Sequence, residues 1–313
     1  MNNVKGCLIG ALVGDAAGAV LEFCWGKLTD ERVLRAMRMP GGGALCVGAG
    51  QITDDGELTL ALASSLEDKF DIEKIMKSYI SWYKSSPFDC GNTCRLAFGG
   101  KVESSEDMMD ISHINNIRSE ANGALMRLTP IPTFYNKWDF GTIAQYAKAD
   151  AALSHPSPVC QDCNAIYAIS IAYLIKHPGD YLGAVELVES WPILAIVKSW
   201  MEESKTLNIE DYDCSNNIGH VKHAFILCMY FLRNKTPFVE AIHLTLKKGG
   251  DTDTNAAIVG GMMGALWGFD AIPEYMIKPV MDFDCENCTK GHKRPGHYKA
   301  SNILNFINKI TIN

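Results

Sequence analysis

The sequence has little strand-like alternation of apolar and polar residues and no strand–helix–strand rhythm. That excludes the doubly wound α/β and all-β classes. It has no excess of basic charge: 29 lysines and arginines against 36 aspartates and glutamates leave a net charge of −7. A nucleic-acid or anionic-membrane partner is therefore not expected. The start lacks the basic and apolar regions of a signal peptide. The most apolar N-terminal run, CLIGALVGDAAGAVLEF, carries Asp15 and Glu22 and is a poor membrane span. No low-complexity linker interrupts the 313 residues, so one domain over 1–313 is expected. The 11 cysteines, an odd number without an export signal, point to mostly reduced thiols in an intracellular, cytoplasmic protein. A monomer is the expected state.

What the chain does have is helical periodicity. Leu58, Leu62 and Leu66 form one apolar stripe; Ile218, Val221, Phe225, Cys228 and Leu232 form another; Phe238, Ile242 and Leu246 a third. Further helical patterns cover roughly 139–152, 161–176, 179–190 and 298–311. Thr236-Pro237 reads as a cap followed by proline at the first helical position. Loops are expected at 40–50, 85–93, 129–136 and 154–158, where glycine and proline concentrate. The glycines at 41–43 lack a following Gly-Lys-Ser/Thr and are no phosphate loop. The fold class that follows is all-α, a single multi-helix domain.

Two acidic junctions stand out. Residues 247–268 read KKGGDTDTNAAIVGGMMGALWG, and residues 51–57 read QITDDGE. Each places threonines and paired acids at the mouth of a helix. Capping accounts for one acceptor per helix, with a second acid favoured in the first turn, but not for the pattern appearing twice. Each junction is associated with a helix bearing glycine at every fourth position: Gly10, Gly14 and Gly18 in one, Gly260, Gly264 and Gly268 in the other. Glycine costs a helix about 0.5–1 kcal/mol relative to alanine, so the repeat calls for close helix approach. Crowding of these faces would bring Asp54, Asp55, Asp251 and Asp253 into one central cavity. Four clustered carboxylates repel, and neither junction offers a cation apart from Lys247 and Lys248. Carboxylates and threonine hydroxyls are hard oxygen ligands that select Mg²⁺ or Mn²⁺, and so many acids suggest two ions.

The motifs GALVGDAAGAVLEF, QITDDGELTLAL, DCGNTCRLAF, SEANGALMRLTPIP, LSHPSP and GGDTDTNAAIVGGMMGALWG, in this order over about residues 6–268, resemble those of the ADP-ribosylglycohydrolase family. The resemblance implies an all-α fold around a binuclear Mg²⁺ or Mn²⁺ cavity. The implied reaction is hydrolysis of the bond between the distal ribose of ADP-ribose and a protein side chain. The expected partner is thus an ADP-ribosylated protein or a small ADP-ribose conjugate. Thr53, Asp54, Asp55, Asp251, Asp253 and Thr254 match the family's metal ligands. Glu22 matches its acid beside the scissile bond; read alone, it is a surface charge at a helix end. Asp89, Gly91, Asn92 and Thr93 match the loop facing the distal ribose and leaving group. Ser119, Asn122, Gly123, Met126 and Arg127 match the loop cradling the diphosphate, and His155 a pocket histidine. Read singly, Met126 is a core residue and His155 a loop hydrogen-bonder.

Glycoside cleavage passes through an oxocarbenium-like state that carboxylates stabilise while activating water. Asp55 or Glu22 would handle the water proton, and Asp89 suits an arginine guanidinium. The DCGNT loop favours arginine-linked substrate over serine-linked or O-acetyl-ADP-ribose. A non-catalytic binder is disfavoured because all six matched ligands are present. In the C-terminal segment of about 282–297, Cys285, Cys288, His292 and His297 lie too close together for a tetrahedral zinc fold and read as free thiols in a loop.

Overall fold

In the computed structural model, which describes residues 1–24 and 28–312, two helices cross through the centre. They are Asn2–Gly18 and Thr252–Trp267. Every residue from Gly6 to Gly18 in the first is buried, as is every residue from Thr252 to Leu266 in the second. Neither has a polar face, as befits helices enclosed on all sides. Their backbones touch. A Cβ added to Gly10 would lie 2.4 Å from the carbonyl oxygen of Gly260, and one on Gly264 would lie 2.0 Å from that of Gly6. The expected crowding of glycine faces is present, with the register shifted: Gly6 joins the stripe. Gly268 instead ends the second helix, in a φ of +81° that suits glycine.

The remaining helices wrap this pair. Asp54–Ser65 packs against Ile72–Lys84, and Phe140–Ala152 against Pro158–Lys176. One contiguous apolar core joins them, including Leu8, Leu62, Trp82, Tyr167 and Ile258. The result is a single all-helical domain. Among the described residues there is no strand, only isolated bridges at Gly42–Val47 and Ala121–His220. No described helix is long and apolar enough to cross a membrane.

Several boundaries differ from the sequence expectation. Pro130–Phe134 is a short helix inside the expected 129–136 loop, with proline at its first position. Ile218 lies outside Val221–Arg233 and is exposed, so that stripe begins at Val221. Pro237 is itself the cap residue of Phe238–Lys247, and the backbone oxygen of Thr236 accepts the indole N–H of Trp267 (2.8 Å). The expected 298–311 helix starts only at Ile303, preceded by two short 3₁₀ turns. The C-terminal segment is tied down by an ion pair: Arg294 reaches Glu57 through Nε and Nη2 at 2.9–3.1 Å, both side chains buried.

Candidate active site

Asp54–Ser65 and Thr252–Trp267 both point their N-termini at one cavity. Thr53 and Asp251 occupy the two cap positions, yet neither side chain caps its helix. Capping therefore explains neither Thr53 nor Asp251; of the first-turn acids, Asp253 accepts the Thr254 N–H (2.9 Å). Part of the capping role at Thr53 falls to Asp15, reaching across from the first helix. Its carboxylate accepts the N–H groups of Thr53 (3.0 Å) and Gly56 (2.8 Å) and the Thr53 hydroxyl (2.9 Å). Asp15 is fully buried and is the site residue that motif reading missed. The available signal was an aspartate inside an otherwise apolar helix, which needs a buried partner. At the other junction, Gly249 and Gly250 have positive φ, and the Thr252 hydroxyl bonds the Gly18 carbonyl (2.8 Å). These contacts deliver Asp251 and Asp253 to the end of the first helix.

The acids converge. Ligand-capable oxygens of Asp15, Asp55 and Asp253 lie within 4.8 Å of one another, as do those of Glu22, Asp251 and Asp253. Asp253 is common to both groups, so they adjoin. The Thr53 hydroxyl lies 3.1 Å from Asp55 Oδ2, and that of Thr254 3.4 Å from the same atom. Asp54 stands in neither group; it accepts the Gly91 N–H (3.3 Å) and lines the cavity. Among the described residues none of these six carboxylates pairs with a lysine, arginine or histidine.

Burial first, then repulsion from neighbouring acids, raises the pKa values of Asp15, Glu22, Asp54, Asp55 and Asp253. Asp15 is pushed up to about 7, mainly by burial and against its hydrogen bonds from Thr53 and Gly56. Glu22 is pushed to about 8 by burial and by Asp89 and Asp251. Asp54, Asp55 and Asp253 are raised well above the usual carboxylate range for the same reasons. Glu22 Oε2 and Asp55 Oδ1 are buried with no hydrogen-bond partner. Unpartnered carboxylate oxygens in two adjoining groups could hold hard divalent cations.

The cavity beside them has a volume of about 420 Å³. Glu22, Asp54, Asp89, Asp251, Asp253 and Thr254 form its acidic wall. Gly91, Asn92 and Thr93 enter from the loop opening the helix Asn92–Phe98, and Asn122, Gly123, Met126 and His155 from the opposite side. The 121–123 loop is pinned by the Ala121–His220 bridge, and Asn122 Nδ2 donates to Asp251 Oδ2 (2.8 Å). Phe23 and Ile218, both exposed, flank the opening. Four expected site residues do not line the cavity. Thr53 and Asp55 lie behind the wall, within the carboxylate cluster. Ser119 bonds the Thr93 hydroxyl (2.9 Å) on the outer side of its loop.

Arg127 is buried beneath that loop. Its guanidinium is committed to Asp150 (3.1 Å), the Asp150 carbonyl (3.0 Å) and Ser154 (2.9 Å), and lies 4.3 Å above the Tyr79 ring. It is thus placed as an internal counter-ion, not as a diphosphate ligand. All 11 cysteines are free. In the C-terminal segment His292 stacks on Phe88 (4.1 Å between ring centres), next to Asp89, instead of joining Cys285 and Cys288.

The chain resembles known proteins along most of its length. An ADP-ribosyl-[dinitrogen reductase] glycohydrolase of Rhodospirillum rubrum is 29% identical over 273 residues, 86% of each chain. ADP-ribosylarginine hydrolase Tri1 of Serratia proteamaculans is 27% identical, covering 90% of this chain and 75% of the relative. ADP-ribosylhydrolase ARH3 of Homo sapiens is 24% identical, covering 88% of both. A solved structure described as an ADP-ribosylglycohydrolase-related protein complex has the same fold, with a TM-score of 0.72 at 22% identity over 89% of this chain and 92% of that one. The ADP-ribosylglycohydrolase family model matches residues 1–293. With that model spanning nearly the whole chain, and with a carboxylate-walled cavity where its two acidic motifs meet, this protein belongs to the ADP-ribosylglycohydrolase family and is an enzyme of that class.

Proposed function

We propose that the enzyme is a divalent-metal-dependent hydrolase that releases ADP-ribose from arginine side chains. The observation that carries this reading is the pair of adjoining carboxylate groups meeting at Asp253, with two buried oxygens unpartnered and no ion pair to a protein cation among the described residues. Asp15, Asp55, Asp253, Glu22 and Asp251, with the hydroxyls of Thr53 and Thr254, would hold two Mg²⁺ or Mn²⁺ ions, and Asp54 would close the wall beside them. Such ions supply counter-charge and orient the hydroxyls of a bound ribose.

The chain's own residues divide the remaining work. Glu22 lines the cavity and has a free Oε2, whereas Asp55 lies behind it, which favours Glu22 as the acceptor of the water proton. Water adds to the anomeric carbon as the bond to the guanidine nitrogen breaks, and the departing guanidine gains a proton. Asp89, in the wall with Glu22, offers a carboxylate to the donor fork of that guanidinium. The relatives named for arginine and dinitrogen-reductase substrates support the linkage.

The test is release of ADP-ribose from arginine-ADP-ribosylated protein with Mg²⁺, with Mn²⁺ and with chelator, beside an Asp55→Ala variant. Metal-dependent release, lost in the variant, is expected. Turnover of serine-linked or O-acetyl substrate alone would overturn the linkage, and full activity in chelator would overturn the metal.

A further inference from the structure

His155 is fully buried yet lines the cavity, and its ring has one committed and one free nitrogen. Nδ1 lies 2.8 Å from the Ser154 hydroxyl. Nε2 has no partner and faces Gly123, where an added Cβ would sit 3.1 Å from it. The Ser154 hydroxyl also receives Nη1 of Arg127 (2.9 Å), and a guanidinium can only donate. Among the described residues His155 Nδ1 is the only other group within hydrogen-bond distance of Ser154 Oγ, so a hydroxyl hydrogen not given to it would be left buried and unpaired. Arg127 is in turn immobilised by Asp150 through Nε, and the other Asp150 oxygen accepts the Tyr79 hydroxyl (2.6 Å). Asn116 fixes the Ser154 carbonyl (3.1 Å). With Ser154 donating to Nδ1, each link has one donor and one acceptor, and the chain has a direction.

We propose that Ser154 and Arg127, anchored by Asp150, are positioning residues that lock His155 as the neutral tautomer with its proton on Nε2, so that it donates one hydrogen bond into the cavity. The ligand atom it meets is an acceptor oxygen lying against Gly123; that part rests on the proposed ADP-ribose site. A donor on this side matters because the facing wall is built of carboxylates, which repel an anionic ligand. Charging the ring is no alternative: burial and the nearby Arg127 hold its pKa at about 3. Any side chain at position 123 would place its Cβ 3.1 Å from Nε2, in the path the acceptor must take.

The test is nitrogen NMR of protein labelled with ¹⁵N-histidine, with the His155 signals assigned by their loss in His155→Gln. At neutral pH the wild type is expected to show a neutral ring protonated on Nε2. In Ser154→Ala the Nδ1-protonated form should appear. ADP-ribose affinity should fall roughly tenfold, as expected for one lost hydrogen bond, with KM rising and kcat little changed. Ser154→Thr should restore both. A wild-type ring protonated on Nδ1 or doubly protonated overturns the proposal, as does a tautomer unmoved by Ser154→Ala. If Ser154→Ala does not fold, the wild-type spectrum alone decides. Absence of ADP-ribose binding in the wild type would overturn the ligand reading and leave the tautomer result to be judged separately.

Discussion

Replacing Gly10 with alanine tests the contact on which the site is built. Its new Cβ would sit 2.4 Å from the Gly260 carbonyl oxygen, and the reciprocal Gly260→Ala places one 2.2 Å from that of Gly10. Carbon–oxygen contacts between packed helices lie near ~3.3–3.6 Å, so the two helices must separate by about 1 Å at this crossing. The obstacle is backbone, and no rotamer change relieves it. Overpacking costs about 1–3 kcal/mol, and a backbone obstacle belongs at the upper end. Alanine's better helix propensity returns about 1 kcal/mol. Each variant should therefore lose about 2 kcal/mol of stability in equilibrium urea unfolding. The double variant should lose less than the sum, because one separation of the helices accommodates both methyl groups. Asp15 lies five residues beyond Gly10, about 7 Å along the helix, so divalent-ion affinity should fall as well. Gly91→Ala, where an added Cβ meets nothing and only the N-cap of Asn92–Phe98 is altered, is the control and should lose no more than about 1 kcal/mol. A Gly10→Ala protein as stable as wild type, or more so, would refute the backbone-contact reasoning.

Three other outcomes follow from the same structure. Asp15 and Glu22 have folded pKa values of about 7 and 8 against ordinary values of 3.8 and 4.5. As pH rises from about 5 to 8 the unfolded chain is already ionised while the folded chain still holds protons, so the metal-free protein should lose stability over that window. Mn²⁺ should restore it, most strongly at the alkaline end; a Tm of chelated protein that climbs across the window would sink this account. Arg294→Met leaves Glu57 buried with only the Trp82 indole N–H (2.8 Å) and should cost about 3–5 kcal/mol in urea unfolding. A loss below about 1 kcal/mol would show that the pair does not hold the C-terminal segment. Asp15→Asn turns an N–H toward the donors of Thr53 or Gly56, costing about 1–3 kcal/mol. It should also weaken Mn²⁺ binding in calorimetric titration, and unchanged binding would remove Asp15 from the cation site.

Local signals reached as far as local physics does. The helix Thr252–Trp267 was legible from DTDT and its glycines, and Phe140–Ala152 from its apolar period, because both depend on neighbours within a turn or two. The helix Pro130–Phe134 was not, since its prolines read as loop until the burial of Ile131 makes helix the better packing. Met126 and His155 both line the cavity, which neither one's residue type alone foretold. Arg127 sits next to the cavity in sequence and beneath it in space, and only the partners Asp150 and Ser154 reveal that.

By itself, the sequence determined the all-helical class, the glycine faces and the two acidic junctions, since each is written in spacing along one segment. Tertiary structure alone decided that Asp15 rather than a local side chain holds Thr53 and Gly56, that Asp253 belongs to two carboxylate groups at once, and that Glu22 rather than Asp55 faces the cavity. The reason is that these depend on the relative placement of helices nearly the whole chain apart. That placement is set by how closely two backbones can approach, a property of the packed pair that neither segment carries alone.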